Sequence, residues 1–179
     1  MIFHETKLPG AFIIEPRTFQ DERGFFSRIW SQSEFEAHGL TARFVETNMS
    51  LSVKTGTLRG MHYQAAPHAQ TKLVRCTRGS IYDVIIDLRV DSPTFKQWEG
   101  VELSAENRLL LYVPHGFAHG FQTFRDDTEV FYQVSADYAP DSARGVRWND
   151  PAFNIIWPEA ERTIIARDNE YPDFDPTAA

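Results

Sequence analysis

Lys54, Arg59, His62, His68, Lys72, Arg75 and Arg78 all fall within residues 47–82, a run of 36 that contains no Asp or Glu. The chain carries 25 acids in 179 residues, so about five would be expected there. In a protein of net charge -7, clustered cations raise the local concentration of anions, and the run suits an anionic ligand. Chance placement along a solvated face is the alternative. His62 lies on a strand expected over 57–64, between Arg59 and Tyr63. A lone strand histidine is by default a packed, hydrogen-bonded residue. Lys72 opens a strand expected over 71–77. If it points inward it calls for an anion, because a buried ammonium is costly when unpaired; a ligand oxyanion would serve. If it points outward it is merely solvated, and alternation allows both. Tyr132, in Glu129-Val130-Phe131-Tyr132-Gln133-Val134, is by default a core tyrosine, and Asp168, in Arg167-Asp168-Asn169, a surface-turn acid.

The elements that must carry these residues are mostly strands. A length of 179 residues predicts a single domain over 1–179 that buries roughly 70% of the unfolded chain's surface. A strand is expected over 11–15, a loop over 16–24 and a second strand over 25–30. Ser33 to Glu36 has capping-box spacing, with Gly39 as a stop, which predicts a short helix over 33–38. Extended segments follow over 42–52, 57–64, 71–77, 81–90, 97–103, 108–113, 119–124 and 129–135, and a short helix near 158–162. In 81–90, Tyr82, Val84, Ile86, Leu88 and Val90 form one face, with Asp83 and Asp87 on the other. Short strands at near-regular spacing predict an all-β sandwich or barrel. The single cysteine, Cys76, fits a reducing compartment, with no disulfide framework. No basic or apolar leader is seen, and no apolar run approaches the roughly 20 residues of a membrane span. The pI near 5.3 argues against non-specific nucleic-acid binding. The expectation is a cytoplasmic protein that engages neither nucleic acid nor membrane.

Pro114-His115-Gly116-Phe117-Ala118-His119 contains the P-x-G-x-x-H pattern that supplies an inward histidine in cupin barrels. Gly56 followed after five residues by His62, and Lys72 followed after six by Gly79, match the start and end of the other cupin motif. The chain therefore resembles a double-stranded β-helix of the cupin, or jelly-roll, class. Gln64 stands where that motif has its second histidine, and Lys72 where it has its glutamate. Two imidazoles and an ammonium without a lone pair make a poor divalent-metal site. A metal-free barrel with a cationic floor is expected.

Over nearly its full length the sequence is similar to the dTDP-4-dehydrorhamnose 3,5-epimerase family. The match rests on Asp21-Glu22-Arg23-Gly24-Phe25-Phe26, Asn48-x-Ser50, Leu58-Arg59-Gly60-Met61-His62-Tyr63-Gln64, Lys72-Leu73-Val74-Arg75, Tyr82-Asp83-Val84, Pro114-x-Gly116-Phe117-Ala118-His119-Gly120-Phe121, Glu129-x-x-Tyr132 and Trp148-Asn149-Asp150-Pro151. The resemblance implies a nucleotide-diphosphate 4-keto-6-deoxyhexose, dTDP-linked, as substrate, and inversion at C3 and C5 through enolates. It implies His62 as general base, Asp168 as its orienting partner, Tyr132 as the proton donor on the opposite face and Lys72 at the C4 oxyanion. It places Arg59 and His119 on the sugar or phosphates, Arg23 and Phe26 toward the nucleotide, and Tyr138 on the base. Arg28, Glu46, Asn48 and Arg167 fall at further substrate-binding positions. No cofactor is implied. The family's homodimers, in which N-terminal segments reach the partner's sheet or site, are carried over as an expectation.

The sequence departs from the family at framing positions. Arg28 replaces a usual glutamate, Glu46 a glutamine and Ala143 a glutamate, and Arg167 stands where a lysine is common nearby. A pairing of Arg28 with Glu46 would make these two changes a compensated swap; the sequence leaves their proximity open. These changes leave open a different base, a different 4-keto sugar, or inversion at C3 or C5 alone. A metal-dependent cupin enzyme and a non-catalytic sugar-nucleotide-binding cupin are the readings from other classes.

Overall fold

The computed structural model describes residues 1–176. In chain order the elements are β1 (Ile2–Glu5), β2 (Phe12–Glu15), β3 (Thr18–Asp21), β4 (Gly24–Ser27), α1 (Gln32–Ala37), β5 (Glu46–Ser52), β6 (Leu58–Gln64), β7 (Lys72–Arg78), β8 (Ser80–Asp87), β9 (Trp98–Ser104), β10 (Leu110–Val113), β11 (Phe117–Thr123), β12 (Thr128–Val134), β13 (Ala143–Gly145) and α2 (Ala166–Asn169). One sheet runs β1-β2-β10-β7-β12-β5 and a second runs β13-β6-β11-β8-β9, while β3 and β4 form a separate hairpin. Every strand pairing within the sheets is antiparallel. The fold is all-β, a double-stranded β-helix with two short helices, as the strand spacing and motifs predict. No described helix is long and apolar enough to cross a membrane.

Side-chain alternation sorts each strand between an inner and an outer layer. Val74 and Cys76 of β7, Ile81 and Ile85 of β8, Leu111 and Val113 of β10 and Val130 of β12 meet in the core between the sheets. The intervening residues pack outward. Leu73, Leu110 and Tyr112 lie under Phe35 of α1. Val84 and Ile86 lie under Val146, Phe153 and Trp157 of the C-terminal segment. The expected two-faced pattern of β8 is present, but both faces are covered, so Asp83 and Asp87 are buried. Asp87 is satisfied by Arg89, Ser92 and Thr94.

Several local expectations are corrected. Residues 16–24 are not a loop throughout: Thr18–Asp21 pairs with Gly24–Ser27 as the β3–β4 hairpin, and the second strand ends at Ser27. The segment expected to be extended from residue 42 becomes a strand at Glu46. The first helix starts at Gln32 with Ser31 as N-cap and no side-chain cap bond. The capping box does not form, because Ser33 Oγ is bonded with Ser31 Oγ and Glu36 accepts from Gln32. No helix forms over 158–162. Gln122 brackets the backbone of Glu159 at both its N–H and its C=O. Thr163 then exchanges backbone bonds with Gly56 and Leu58. With its polar groups spent on these partners, the segment runs extended along the start of β6, and the second helix forms later, at Ala166–Asn169.

One irregularity sets up the cavity. β11 pairs His119 with His62 and Phe121 with Arg59, so β6 holds one residue more than its partner between those two pairs. Strict alternation puts residues 59 and 62 on opposite faces, and the bulge brings them to the same one. Gly60 accommodates it at φ +139°, where an added Cβ would meet the Gly120 Cα at 2.5 Å. Gly60→Ala is expected to destabilise the fold by about 2 kcal/mol or more, measured as a shift in denaturation midpoint. Gly39→Ala has positive φ but open space around it and should lose only about 1 kcal/mol. Equal losses at the two positions would show that the close approach contributes nothing.

Candidate active site

The inner faces enclose a cavity of about 1010 Å³. β6 contributes Arg59 and His62, β7 Lys72, β11 His119 and β12 Tyr132. Arg167 and Asp168 enter from α2, and Tyr138 from the loop after β12. Lys72 points inward because it shares the β7 face of Val74 and Cys76. Tyr132 points inward with Val130 and packs on the core.

Asp168 is not a surface acid; it is 1% exposed. The C-terminal segment carries it back over β6, more than a hundred residues away in sequence. Its Oδ1 accepts from His62 Nε2 at 2.8 Å and from Arg167 Nε at 3.1 Å. Its Oδ2 accepts from the Gly60 N–H at 3.1 Å. These bonds hold the Asp168 carboxyl below its usual range despite burial. A carboxylate only accepts, so Nε2 of His62 carries a proton and Nδ1 is free of this partner. Burial pushes the His62 pKa down, the Asp168 contact opposes that, and the charges of Lys72 and Arg167 add to the lowering. The result favours a neutral imidazole held in one tautomer.

Lys72 is buried, and its Nζ donates to the His62 carbonyl at 3.1 Å. Burial lowers its pKa to about 8, against the pull of Asp83. Its charge is therefore present at neutral pH with little competing water, the state in which a fixed cation acts most strongly on a developing anion. Burial raises the Tyr132 pKa, which keeps the phenol protonated. Among the described residues no group of three or more His, Cys, Asp and Glu is arranged to hold a metal ion. Gln64, at a cupin ligand position, is committed elsewhere. Its amide donates to the His68 and Asp137 carbonyls and accepts from the Ala139 N–H, bracketing the loop that carries Tyr138.

The remaining expected residues divide. Asn48 lies opposite Tyr132 across β5 and β12. Glu46 accepts the Tyr138 N–H at 2.8 Å and so holds the same loop from its other side. The pairing of Arg28 with Glu46 that would have compensated the two changes does not form: Arg28 lies 3.6 Å from Glu34, because the chain turns into α1 directly after β4. Arg23 pairs with Asp21, and Phe26 is 67% exposed. Both sit on the β3–β4 hairpin, outside the cavity of their own chain. Tyr171 is an addition that sequence reasoning missed. Its ring centroid lies 6.3 Å from that of His62 and its ring fills the space that a side chain at Gly145 would take. No motif spacing links it to the cavity; only the return of the C-terminal segment does.

Together these features define a cupin-type barrel whose cavity is equipped for proton transfer next to a fixed cation. A family model described as dTDP-4-dehydrorhamnose 3,5-epimerase matches residues 5–176, and the chain belongs to that family. The Shigella flexneri dTDP-4-dehydrorhamnose 3,5-epimerase is 48% identical over 92% of this chain and 91% of its own length. The crystal structure of the Bacillus anthracis enzyme with TDP and PPi bound superposes with a TM-score of 0.94 at 46% identity, covering 97% of this chain and 99% of that one. A Legionella pneumophila dTDP-6-deoxy-D-glucose-3,5-epimerase in complex with dTDP-4-keto-L-rhamnose gives a TM-score of 0.88 at 38% identity, over 93% and 89% of the two chains.

In the ligand-free protein, the His62 ring protons are expected to titrate below the ordinary 6.5 when followed by NMR. Asp168→Asn removes the contribution that raises this pKa, so the midpoint should move lower still. A midpoint above 6.5 in the native protein would mean that the carboxylate outweighs burial.

Proposed function

We propose that the chain is a 3,5-epimerase that converts dTDP-4-dehydro-6-deoxyglucose to dTDP-4-dehydrorhamnose. The observation that carries the proposal is the convergence on one cavity of an imidazole oriented by a buried carboxylate, a buried ammonium and a protonated phenol. The C4 ketone acidifies the hydrogens at C3 and C5. His62 takes the proton from carbon, the electron pair moves onto the C4 oxygen, and Lys72 stabilises that oxyanion. Tyr132 then protonates the same carbon from the opposite face, which inverts it; Tyr132 recovers its proton from solvent and His62 releases the one it took to solvent, which restores both groups for the second centre. One ketone activates both centres, so one site serves both inversions. This chain's residues supply each of these steps without a cofactor.

Binding falls to the rest of the site. Arg59, His119 and Arg167 face the cavity and suit the sugar and diphosphate, since a guanidinium fork matches phosphate oxygens. Tyr138, 60% exposed on its bracketed loop, offers a ring for the base, with Asn48 and Glu46 framing it. We place Arg23, Phe26 and the neighbouring Arg28 at the nucleotide of a partner copy in a homodimer. The support is a hairpin that stands off its own sheets with Phe19, Phe25 and Phe26 exposed. The whole chain then works as one cupin-like domain. Cys76 is buried and free, which fits the cytoplasm as the place of reaction.

The test is hydrogen exchange in D2O with dTDP-, CDP- and GDP-linked 4-keto-6-deoxy sugars. Deuterium should enter at both C3 and C5 of the dTDP sugar. His62→Ala should abolish exchange, and Tyr132→Phe should keep exchange but lose inversion. Tight dTDP binding without exchange would overturn the proposal in favour of a binding module. Lys72→Met should lower kcat on the order of a hundredfold or more. Because Lys72 loses its proton as pH rises through about 8, kcat/KM should fall over that range, and a flat profile there would remove Lys72 from the charged role.

A further inference from the structure

β8 and β11 pair with Ile85 opposite His119 and Asp83 opposite Phe121. Asp83 and His119 are therefore diagonal neighbours on the inward face. On its other side, β11 sets His119 opposite His62 of β6. Asp83 is fully buried, and its Oδ1 lies 2.7 Å from His119 Nε2. Its Oδ2 is buried and has no hydrogen-bond partner among the described residues. Asp83 does not line the cavity; His119 does. A half-satisfied buried carboxylate is an unfavourable element in a core unless it serves some other purpose.

The arrangement repeats the one at His62. Each imidazole has Nε2 against a buried carboxylate, and the two residues are paired in register across β6 and β11. A carboxylate accepts only, so the contact puts the proton on Nε2, and in a neutral ring the lone pair is left on Nδ1. We propose that Asp83 is a positioning residue for the reaction: it fixes His119 as the Nε2–H tautomer, so that Nδ1 accepts a hydrogen bond from a hydroxyl of the bound 4-keto sugar. The sugar in this statement rests on the epimerase reading; the tautomer does not. Asp83 does not reach the cavity itself: it acts through His119, and its charge also holds up the Lys72 pKa against burial.

The experiment is long-range 1H–15N correlation of the imidazoles in the 15N-labelled native protein, with His119 assigned by loss of its signals in His119→Asn. His119 should show a proton on Nε2 and a bare Nδ1 in the ligand-free state. The dTDP-4-keto sugar should shift Nδ1, and dTDP alone should not. A proton on Nδ1, or a Nδ1 signal unmoved by the sugar nucleotide, overturns the proposal, and neither measurement depends on turnover. In Asp83→Asn the amide can donate to Nε2 and reverse the tautomer. This variant should lose kcat on the order of 10- to 100-fold with dTDP affinity unchanged. A reversed tautomer with full kcat also overturns the proposal. Failure of the epimerase reading itself would appear separately, as native protein that exchanges no substrate hydrogen in D2O.

Discussion

One buried carboxylate ties the C-terminal segment to the barrel. Asp168 bonds the His62 ring with one oxygen and the Gly60 N–H with the other. The first bond orients an imidazole. The second fastens α2 to the bulge that turns His62 and Arg59 toward the same side. Site geometry and chain closure therefore depend on the same group. Without its charge the imidazole would lose its preferred tautomer and the segment that carries Arg167 and Tyr171 would lose its buried anchor. Secondary fastenings act in the same direction: Asp150 accepts the N–H of Ala152 and of Phe174, and Arg147 reaches the Tyr171 carbonyl.

The interior is unusually charged for a β-sandwich. Lys72, Asp83, Asp168 and His119 are all buried, and each is held by a specific partner or by a field of opposite sign. Burial works on them in opposite directions. It lowers Lys72 and His62 and raises Tyr132, so the same low-polarity surroundings bring a base, a cation and a proton donor toward useful states at neutral pH. The apolar layers on both outer faces make this possible, because α1 and the C-terminal segment keep water off the backs of the two sheets.

Positions that depart from the family's pattern sit mostly at the rim. Glu46 still takes part in holding the Tyr138 loop, through a backbone N–H that any acceptor there could bind. Arg28 has a local partner in Glu34, so its sign is balanced within its own chain. Arg167 shares Asp168 with His62, which an arginine can do with Nε while a terminal nitrogen lies 3.4 Å from His62 Nε2. The proton-transfer groups lie deeper, where a change of charge would leave a buried partner unpaired.

Much was legible in the residues themselves. Period-two alternation and turn residues marked most of the strands, because local sterics and one-sided burial determine them. Cupin-motif spacing marked His62, Lys72 and His119, since residues on neighbouring strands of a regular barrel keep their register, and the family resemblance marked Tyr132. The direction of Lys72, the burial of Asp83 and Asp168, the pairing of Arg28 and the place of Tyr171 were decided only in three dimensions. Alternation says which residues share a face, not which face is covered, and it fails at a bulge such as the one at Gly60. The return of residues 146–174 over β6 has no local signature at all, because its stability comes from long-range contacts that exist only once the sheets have formed.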